Sequence, residues 1–310
     1  MTQHALRPIL IAGPTASGKS ALASAIAERV GGVIVNADSM QVYAELRILT
    51  ARPTPEDEAR APHRLYGHIS ATQPYSVAHW LEDVRQVLWE AHDKGWRPII
   101  VGGTGLYFKA LLEGLSPIPA IPDAVRGHWR SEAGRSAPNE LYAQLIARDP
   151  IMAARLAPGD TQRVTRALEI IDATGRSLAD WQRIAGTPLL LADETSRLVV
   201  DLPRATLQER ADRRVEEMMA AGAVDEVRAL LRLDLACDAP AMRALGVAPL
   251  AQLIAHRVSR SVAVDQTRLA TRQYLKRQQT WIKRHMMSWN QIILSENCLI
   301  NGNFMQFIDR

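Results

Sequence analysis

Apolar residues in the first third of the chain form short continuous runs that alternate with stretches of helical spacing. One run covers residues 9–12, a second covers 33–35, and a third leads into Gly102. Before the third run, apolar positions recur at helical spacing near 77–94, which predicts an amphipathic helix. The Pro-rich stretch ahead of that helix predicts an extended connection. Strands that alternate with helices over residues 5–113 predict a parallel α/β sheet.

The pattern changes at residue 115, where "LSPIPAIPDAV" introduces three prolines and helical spacing then continues to about residue 190. The segment "SRLVVDLPR" follows and predicts a strand that returns to the sheet, after which helical patterns resume. We therefore predict four parts: a first part of the α/β core (1–115), a helical insertion (116–195), the remainder of the core (196–285) and a tail without an assigned role (286–310).

Composition narrows the class of protein. Of the 310 residues, 47% are hydrophobic and 23% are charged, as in ordinary globular proteins. No apolar run approaches the roughly 18 residues that span a bilayer, and the N-terminal segment lacks the layout of an export signal. We expect a cytoplasmic protein without a membrane partner. Cys237 and Cys298 form no CxxC pattern, so neither a disulfide framework nor a zinc site is expected.

The first predicted strand leads into a loop with phosphate-binding chemistry. The loop Gly13-Pro14-Thr15-Ala16-Ser17-Gly18-Lys19-Ser20 matches the P-loop pattern, and an Ala-rich helical pattern follows it. In such a loop, backbone N–H groups and a helix N-terminus face the phosphate oxygens, the lysine adds a positive charge and the serine hydroxyl suits Mg²⁺. The pattern predicts a bound di- or triphosphate without identifying the group attached to it.

Two further polar segments follow predicted strands directly. Asp38-Ser39-Met40-Gln41 comes after the second strand and Gly102-Gly103-Thr104-Gly105 after the third. Since ligands of open α/β sheets bind at the carboxyl ends of the strands, we expect both segments beside the phosphate loop. Asp38 is a candidate Mg²⁺ ligand or general base, with an N-cap or turn role as the alternative. Thr104 is a candidate hydrogen-bond donor to a substrate, with a plain helix-starting turn as the alternative.

A basic segment lies near the C-terminal end. No Asp or Glu occurs between Thr267 and Ser295, whereas Arg268, Arg272 and Lys276 share one face of a predicted helix. A solvated helix face is the ordinary interpretation of such a run. The missing acids favour the phosphate backbone of a nucleic acid as the partner.

These features leave three classes of function open. A small-molecule kinase would bind ATP in the loop and close Arg-rich segments over it. A transferase with a diphosphate donor would hold the leaving group in the loop and use the basic helix for a nucleic-acid acceptor. An RNA-binding P-loop protein without catalysis would use both surfaces for binding alone.

Six collinear motifs resemble a single family. In chain order they are "GPTASGKS", "NADSMQVY", "PIIVGGTGLYFKALLEGL", "DTQRVTRALEII", "AMRALG" and "TRQYLKRQQTW". Over about residues 7–285 the chain closely resembles the bacterial tRNA dimethylallyltransferases, also called tRNA isopentenyltransferases or the IPP transferase family. The resemblance implies an α/β fold in which a P-loop NTPase-like parallel sheet core carries a helical insertion domain and C-terminal helices.

The resemblance also implies an activity. The dimethylallyl group of dimethylallyl diphosphate would pass to the exocyclic N6 of adenosine 37, in tRNAs that read codons beginning with U, and diphosphate would be released. Residues 13–20 would hold the diphosphate, Lys19 and Arg214 would offset its charge, and Mg²⁺ would bridge it to Ser20. Asp38 would accept a proton from N6, and Thr104 would position the reacting atoms.

By the same resemblance, the tRNA anticodon stem-loop is the macromolecular partner of a protein that we expect to be monomeric. The target base must leave its stack to reach the site. The implied tRNA-contact positions are Asp38, Ser39, Met40, Gln41, Thr104, Arg126, Gln162, Arg163, Val164, Thr165, Arg166, Arg243, Lys276 and Arg277.

The chain departs from the family pattern in two places. Where many members read "DIGTAKP", it reads "RILTARP", with Leu49 for Gly and Arg52 for Lys. Where they read "GYRQ", it reads Gly246-Val247-Ala248-Pro249. We expect both departures to alter local tRNA or diphosphate contacts while the activity is retained.

Overall fold

Six parallel strands form the centre of the fold in a computed structural model that describes residues 7–293 and 305–308. Numbered along the chain, the strands are β1 (Ile9–Ala12), β2 (Gly32–Asn36), β3 (His63–Arg64), β4 (Arg97–Gly102), β5 (Ser196–Val200) and β6 (Asn290–Ile292). They lie in the order β3-β2-β4-β1-β5-β6, and every neighbouring pair is parallel. The predicted parallel α/β core is confirmed.

The α-helices of the described residues follow the predicted spacing. They are α1 (Lys19–Val30), α2 (Pro55–Arg60), α3 (Val77–Lys94), α4 (Gly105–Glu113), α5 (Asp123–Arg135), α6 (Pro138–Arg148), α7 (Pro150–Ala153), α8 (Thr161–Thr174), α9 (Leu178–Trp181), α10 (Arg204–Ala220), α11 (Ala223–Leu231), α12 (Val247–Ile254) and α13 (Arg260–His285). Helix α3 has the predicted bounds, because Ser76 caps its first turn and Gly95 ends it with a φ of 66°. Over the described part of the chain, no helix is long and apolar enough to cross a membrane.

The four inner strands β1, β2, β4 and β5 are buried on both faces, which explains their continuous apolar runs. On one face, Leu10 and Ile100 belong to a cluster that includes Trp80 of α3. On the other face, Ile11 packs in a cluster with Leu22 of α1. The helices therefore cover the sheet from both sides and leave its carboxyl edge for the loops.

Parallel pairing brings three of these loops together. Ala12 of β1 pairs with Gly102 of β4 and with Val199 of β5, while Asn36 of β2 pairs with Val101. The loops that leave β1, β2 and β4 therefore start next to one another. This edge is where open α/β sheets bind their ligands.

The chain divides into two compact units. One comprises Met1–Leu112 and Leu189–Arg310, and the other comprises Glu113–Pro188. The helical unit is shorter at its C-terminal end than the insertion expected at 116–195. The reason is that the backbone N–H groups of Leu189 and Leu190 already donate to Leu111 O within the first unit.

The connection between β2 and α3 is less extended than we expected. It contains α2, which begins with a capping box in which Thr54 and Asp57 bond each other's backbone N–H groups, and with Pro55 at its first position. It also contains β3, which pairs with β2 at the edge of the sheet. The expectation of an extended connection was therefore wrong over α2, whereas β3 is extended.

The described part of the tail that begins at residue 286 belongs to the core. Strand β6 extends the sheet beside β5. Trp289 is 6% exposed and meets Phe108 edge-on, with the ring centroids 5.5 Å apart, and Ile308 is also buried. Trp289 therefore packs inside the protein. The remaining tail residues lie outside the described part of the chain.

Candidate active site at the carboxyl edge of the sheet

The loop between β1 and α1 has the backbone geometry of an anion-binding cradle. Ala16 and Gly18 have positive φ angles of 63° and 90°, and the first turn of α1 carries no acidic residue. Gly13 is required by a close approach, since a Cβ at this position would lie 2.6 Å from Val200 O. The first N–H groups of α1, which have no partner within the helix, and the positive end of its dipole therefore suit an anion.

Lys19 adds a partly buried ammonium group to this cradle. Its Nζ donates to Pro14 O at 3.4 Å. Burial lowers the pKa of Lys19 to about 8, against the opposing charge of Asp38, and the nearby Arg214 lowers it further. An anion bound in the loop would supply the counter-charge that solvent supplies to an exposed lysine.

Helix α10 brings Arg214 to the same loop. Its guanidinium donates to Thr15 Oγ1 at 3.3 Å. Burial lowers the pKa of Arg214, while Glu217 and Asp38 act in the opposite direction. The structure thus places Lys19, Arg214 and the N-terminus of α1, three sources of positive potential, around one loop.

Asn36, which the sequence did not single out, holds the backbone of Asp38. Its fully buried side chain accepts from Asp38 N at 2.8 Å and donates to Asp38 O at 2.9 Å and to Leu65 O at 3.0 Å. Asp38 Oδ1 then accepts from Met40 N at 2.9 Å. The carboxylate is therefore fixed at the end of β2, close enough for its charge to act on Lys19.

Thr104 lies beside this turn. Its backbone N–H donates to Ala37 O at 3.2 Å, and its Oγ1 accepts from Ser39 N at 2.9 Å. Gly102 permits this contact, since a Cβ there would collide with the Ala37 carbonyl. The structure therefore brings Asp38 and Thr104, the two predicted catalytic residues, to adjacent positions.

Buried tyrosines surround the carboxylate of Asp38. Burial raises the pKa of Tyr66, Tyr107 and Tyr274, and the charge of Asp38 is the second cause at each of them. Tyr107 also stacks on Trp80, with ring centroids 4.2 Å apart. Asp38 therefore lies near three tyrosines whose phenols stay protonated.

A cavity of about 640 Å³ opens beside the phosphate loop. Ser20 and Arg214 line it where it meets the loop, and Arg52 and Tyr66 line it further away. Ser20 is exposed. The cavity gives a small ligand access to the start of α1.

The residues at the loop suit a magnesium ion that is held mainly by a bound phosphate. Within residues 7–293 and 305–308, no group of three or more His, Cys, Asp or Glu side chains could hold a metal ion without further ligands. Mg²⁺ at phosphate sites takes one or two protein ligands and completes its shell with phosphate oxygens and water. The exposed hydroxyl of Ser20 provides one such oxygen.

Gln41, one of the predicted tRNA-contact residues, is engaged within the protein. Its Nε2 donates to Thr50 O at 2.8 Å and to Ala51 O at 3.1 Å. Met40 is partly buried against an apolar cluster that includes Val42 and residues of α11 and α12. In the segment 38–41, the side chains of Met40 and Gln41 therefore also hold the loop in place.

The two departures from the family pattern meet inside that cluster. Leu49 and Val247 are both buried there, and a Cβ on Gly246 would lie 2.9 Å from Leu49 Cδ2. Leu49 and Val247 are therefore packing positions, and an effect of the two departures on tRNA or diphosphate contacts stays a prediction. Arg52 donates to Tyr43 O at 3.1 Å and also lines the cavity.

Acids from α10 neutralise part of the basic face of α13. Arg272 forms a two-bond ion pair with Asp212, and Arg268 pairs with Glu216. The lack of acids within the segment 267–295 did not mean an unpaired surface, because another helix supplies them. Arg268 and Arg272 therefore share the predicted face of α13 but have carboxylate partners on α10, and binding of a nucleic acid by this face stays a prediction.

Other predicted contact residues of the core unit do lie at the surface. Arg243, Lys276 and Arg277 are exposed. The Arg277 guanidinium lies over the ring of Tyr274, 5.5 Å from its centroid. The guanidinium thereby covers the outer side of a tyrosine that lies beside Thr104.

In the helical unit, α8 presents one part of its predicted contact segment and buries the other. Gln162 and Arg163 are exposed and Arg166 is partly exposed, whereas Val164 and Thr165 are buried in the core of the unit. The side chains of Val164 and Thr165 therefore pack within the unit, and a role of these two positions in tRNA contact stays a prediction.

The surface arginines of the helical unit have acidic neighbours on their own helices. Arg163 lies 3.5 Å from Asp160, and Arg166 lies 2.9 Å from the buried Glu169. Arg126 lies 3.6 Å from Asp123. The pairs of Arg163 and Arg126 lie at the surface and contribute little to stability, so these two arginines can exchange a carboxylate for a phosphate at small cost. The Glu169 partner of Arg166 is buried, so loss of that pair would leave a buried carboxylate with less counter-charge.

Comparison with known proteins then identifies the family. The model of the family described as IPP transferase matches residues 41–285, and the model described as isopentenyl transferase matches residues 7–70. The chain belongs to the IPP transferase family. The tRNA dimethylallyltransferase of Agrobacterium fabrum is 50% identical over 286 residues, which cover 92% of this chain and 96% of that protein. The tRNA dimethylallyltransferase of Parvibaculum lavamentivorans is 45% identical over 309 residues, which cover 100% of this chain and 98% of that protein.

Solved structures of IPP transferases share the fold. The full-length tRNA isopentenylpyrophosphate transferase of Bacillus halodurans matches with a TM-score of 0.68 at 28% identity, over 98% of this chain and 97% of that one. A eukaryotic dimethylallyltransferase acting on tRNA matches with a TM-score of 0.80 at 25% identity, over 96% of this chain and 76% of that one. The predicted P-loop-like core is confirmed.

This member of the IPP transferase family also contains buried amides that the sequence did not reveal. Asn36 is a polar residue at the last position of an apolar strand, and that position was its one signal. Gln278 lies inside the basic motif, where nothing in the sequence distinguishes a buried position from an exposed one. It is 6% exposed and contacts the phosphate loop.

Proposed function

We propose that the protein transfers the dimethylallyl group of dimethylallyl diphosphate to N6 of adenosine 37 in tRNAs that read codons beginning with U, releasing diphosphate. One observation carries the proposal: the cradle with Lys19 and Arg214 and the pair formed by Asp38 and Thr104 lie at the same edge of the sheet. The relatives named tRNA dimethylallyltransferase support the donor and the acceptor.

The diphosphate of the donor would lie against residues 13–20. As the bond between C1 and the diphosphate oxygen breaks, its electron pair leaves with the oxygen. Lys19, Arg214 and the N-terminus of α1 stabilise this growing charge. Both cations are desolvated by burial, so their interaction with an anion is stronger than it would be in water. A Mg²⁺ ion bound to the diphosphate and to Ser20 would supply additional charge neutralisation.

The acceptor base would approach from the side of Asp38. The N6 lone pair forms the new bond to C1, and a proton of N6 passes to the Asp38 carboxylate. Met40 N holds Oδ1 of that carboxylate, which orients it without removing its charge. An aromatic amine is a weak nucleophile, so much of the rate must come from orientation, which Thr104 supports by holding Ser39.

The anticodon stem-loop would be bound by exposed cations. Those on the helical unit are Arg126, Arg163 and Arg166, and those on the core unit are Arg243, Lys276 and Arg277. Phosphate contacts position the RNA, and the flipped base is then recognised in the site. We extend the proposal to a monomer that acts in the cytoplasm, where tRNA is its acceptor.

Incubation with Mg²⁺, labelled dimethylallyl diphosphate and unmodified tRNA tests the proposal. Label should enter a tRNA that carries adenosine at position 37 and should not enter the same tRNA with guanosine there. ATP in a parallel reaction should be neither hydrolysed nor needed. Consumption of ATP without transfer of label to RNA would overturn the proposal. Light scattering of the purified protein measures its oligomeric state separately.

A further inference from the structure

Gln278 of α13 is a buried amide that connects two loops of the site. Its Oε1 accepts from Thr15 N at 2.8 Å, and its Nε2 donates to Gly103 O at 3.0 Å. Thr15 belongs to the phosphate loop, and Gly103 precedes Thr104. A single side chain therefore links the loop that would hold the donor to the turn that carries Thr104.

Helix α13 packs directly on the backbone of that turn. A Cβ on Gly103 would collide with Gln278 Nε2, and a Cβ on Gly105 would collide with the indole of Trp281. Tyr274, one turn earlier on α13, lies beside the side chains of Thr104 and Gln278. The glycines of this turn are therefore required by the close approach of α13 as well as by the turn itself.

The contact also decides which amides of the phosphate loop face an anion. Thr15 N donates to Gln278, and Ser17 N donates to Pro14 O at 3.3 Å. The hydroxyl of Thr15 accepts from Arg214. Thr15 is thus held from two sides, by α13 through its amide and by α10 through its hydroxyl, so the amide of Thr15 is not available to an anion.

We propose that Gln278 is a positioning residue for the transfer reaction, holding the leaving-group cradle and the Asp38–Thr104 side at the separation that in-line attack requires. The inference rests on the proposed function. Gln278 acts through Thr15 N and Gly103 O, and both of its hydrogen bonds are needed. A displacement of about 1 Å between reacting groups costs on the order of 100-fold in rate, which sets the scale of the expected effect.

Gln278→Glu tests the role through pH. A protonated carboxyl reproduces the amide, because its carbonyl oxygen accepts from Thr15 N and its O–H donates to Gly103 O. An ionised carboxylate cannot donate, so it repels the Gly103 carbonyl. Burial and the facing carbonyl oxygen of Gly103 both raise the pKa of the introduced carboxyl above its ordinary value. We expect kcat for this variant to approach the wild-type value near pH 6 and to fall about 100-fold below it at pH 8.5.

Gln278→Leu removes both hydrogen bonds at every pH. Its kcat should fall about 10- to 100-fold without the pH dependence, while its Kd for tRNA stays within about 3-fold, because the exposed cations are unchanged. The matched control is Gln279→Leu on the same helix. Gln279 donates to Asp201 Oδ1 at 3.3 Å and contacts neither loop, so this variant should keep the wild-type kcat.

The outcomes separate this proposal from the function on which it rests. If the wild-type protein transfers no label to tRNA, the proposed function fails. If the wild type is active and Gln278→Leu keeps its kcat, or if the profile of Gln278→Glu runs parallel to the wild type from pH 6 to 8.5, the positioning role is overturned. Thermal melting and the affinity for inorganic pyrophosphate, measured on each variant, distinguish displaced loops from unfolding.

Discussion

Lys19→Met is expected to stabilise the free protein while destroying its response to diphosphate. Burial lowers the pKa of Lys19 from its ordinary 10.5 to about 8. Since one pKa unit corresponds to about 1.4 kcal/mol, the charged amine costs the folded state up to about 3 kcal/mol at pH 7. The side chain keeps some contact with solvent, so the full cost does not apply. We therefore expect Lys19→Met to raise the free energy of unfolding by about 1 to 2 kcal/mol, which corresponds to a melting temperature higher by about 2 to 4 °C.

The sign of this effect depends on pH in a defined way. Between about pH 8 and pH 10.5 the unfolded chain binds more protons at Lys19 than the folded protein does, so the stability contributed by this site rises with pH. Below pH 8 Lys19 is protonated in both the folded and the unfolded protein, so the full cost of burying its charge is present. The advantage of Lys19→Met should therefore be constant from pH 6 to 7.5 and should shrink towards pH 10.

Differential scanning fluorimetry of the two proteins across this pH range measures the effect. Inorganic pyrophosphate at about 100 times its Kd should stabilise the wild type by about 2.7 kcal/mol and the variant far less. Lys283→Met, at an exposed position of α13, is the control and should change stability by less than about 0.5 kcal/mol. A variant that is no more stable than the wild type at pH 7, or an advantage that persists at pH 10, would refute the reasoning.

Three further outcomes are expected. Asp38→Asn should lower kcat by about 100-fold or more, measured by single-turnover transfer, while its Kd for tRNA, measured by filter binding, stays within about 3-fold of the wild-type value. Equal losses of rate and of tRNA affinity would contradict the role of Asp38 as a general base. The double substitution Arg163→Ala and Arg166→Ala should reduce the slope of log K for tRNA binding against log salt concentration by about 1 to 2. An unchanged slope would show that these two arginines make no phosphate contacts. Trp289→Ala should lower the free energy of unfolding by about 3 to 5 kcal/mol, measured by chemical denaturation. Met287 is 80% exposed, so Met287→Ala is the control and should lower it by less than about 0.5 kcal/mol. Equal effects of the two changes would contradict the assignment of Trp289 to the core.

Local patterns were sufficient for the main elements of the core. The spacing of apolar residues located β1 and α3, whose observed bounds are Ile9–Ala12 and Val77–Lys94. The P-loop residues Gly13 to Ser20 predicted a phosphate cradle, because the fingerprint lies within one strand–loop–helix unit. The capping box of α2 was also present in "TPEDEA", and it was missed because the surrounding prolines suggested an extended chain. These features depend on neighbouring residues, which is why a sequence can determine them.

Partners across the chain were decided only by the tertiary structure. The basic run on α13 contains no acidic residue, yet α10 places Asp212 and Glu216 against two of its arginines. The same helix carries Gln278, whose burial and contact with Thr15 depend on how α13 packs over the loops. Burial and ion pairing are determined by which elements meet, and apolar spacing along one helix does not specify its neighbour. The sequence therefore determined the phosphate loop, the strands that end beside it and the motifs of the family, whereas the three-dimensional packing decided which cations remain exposed and which amide joins the two sides of the site.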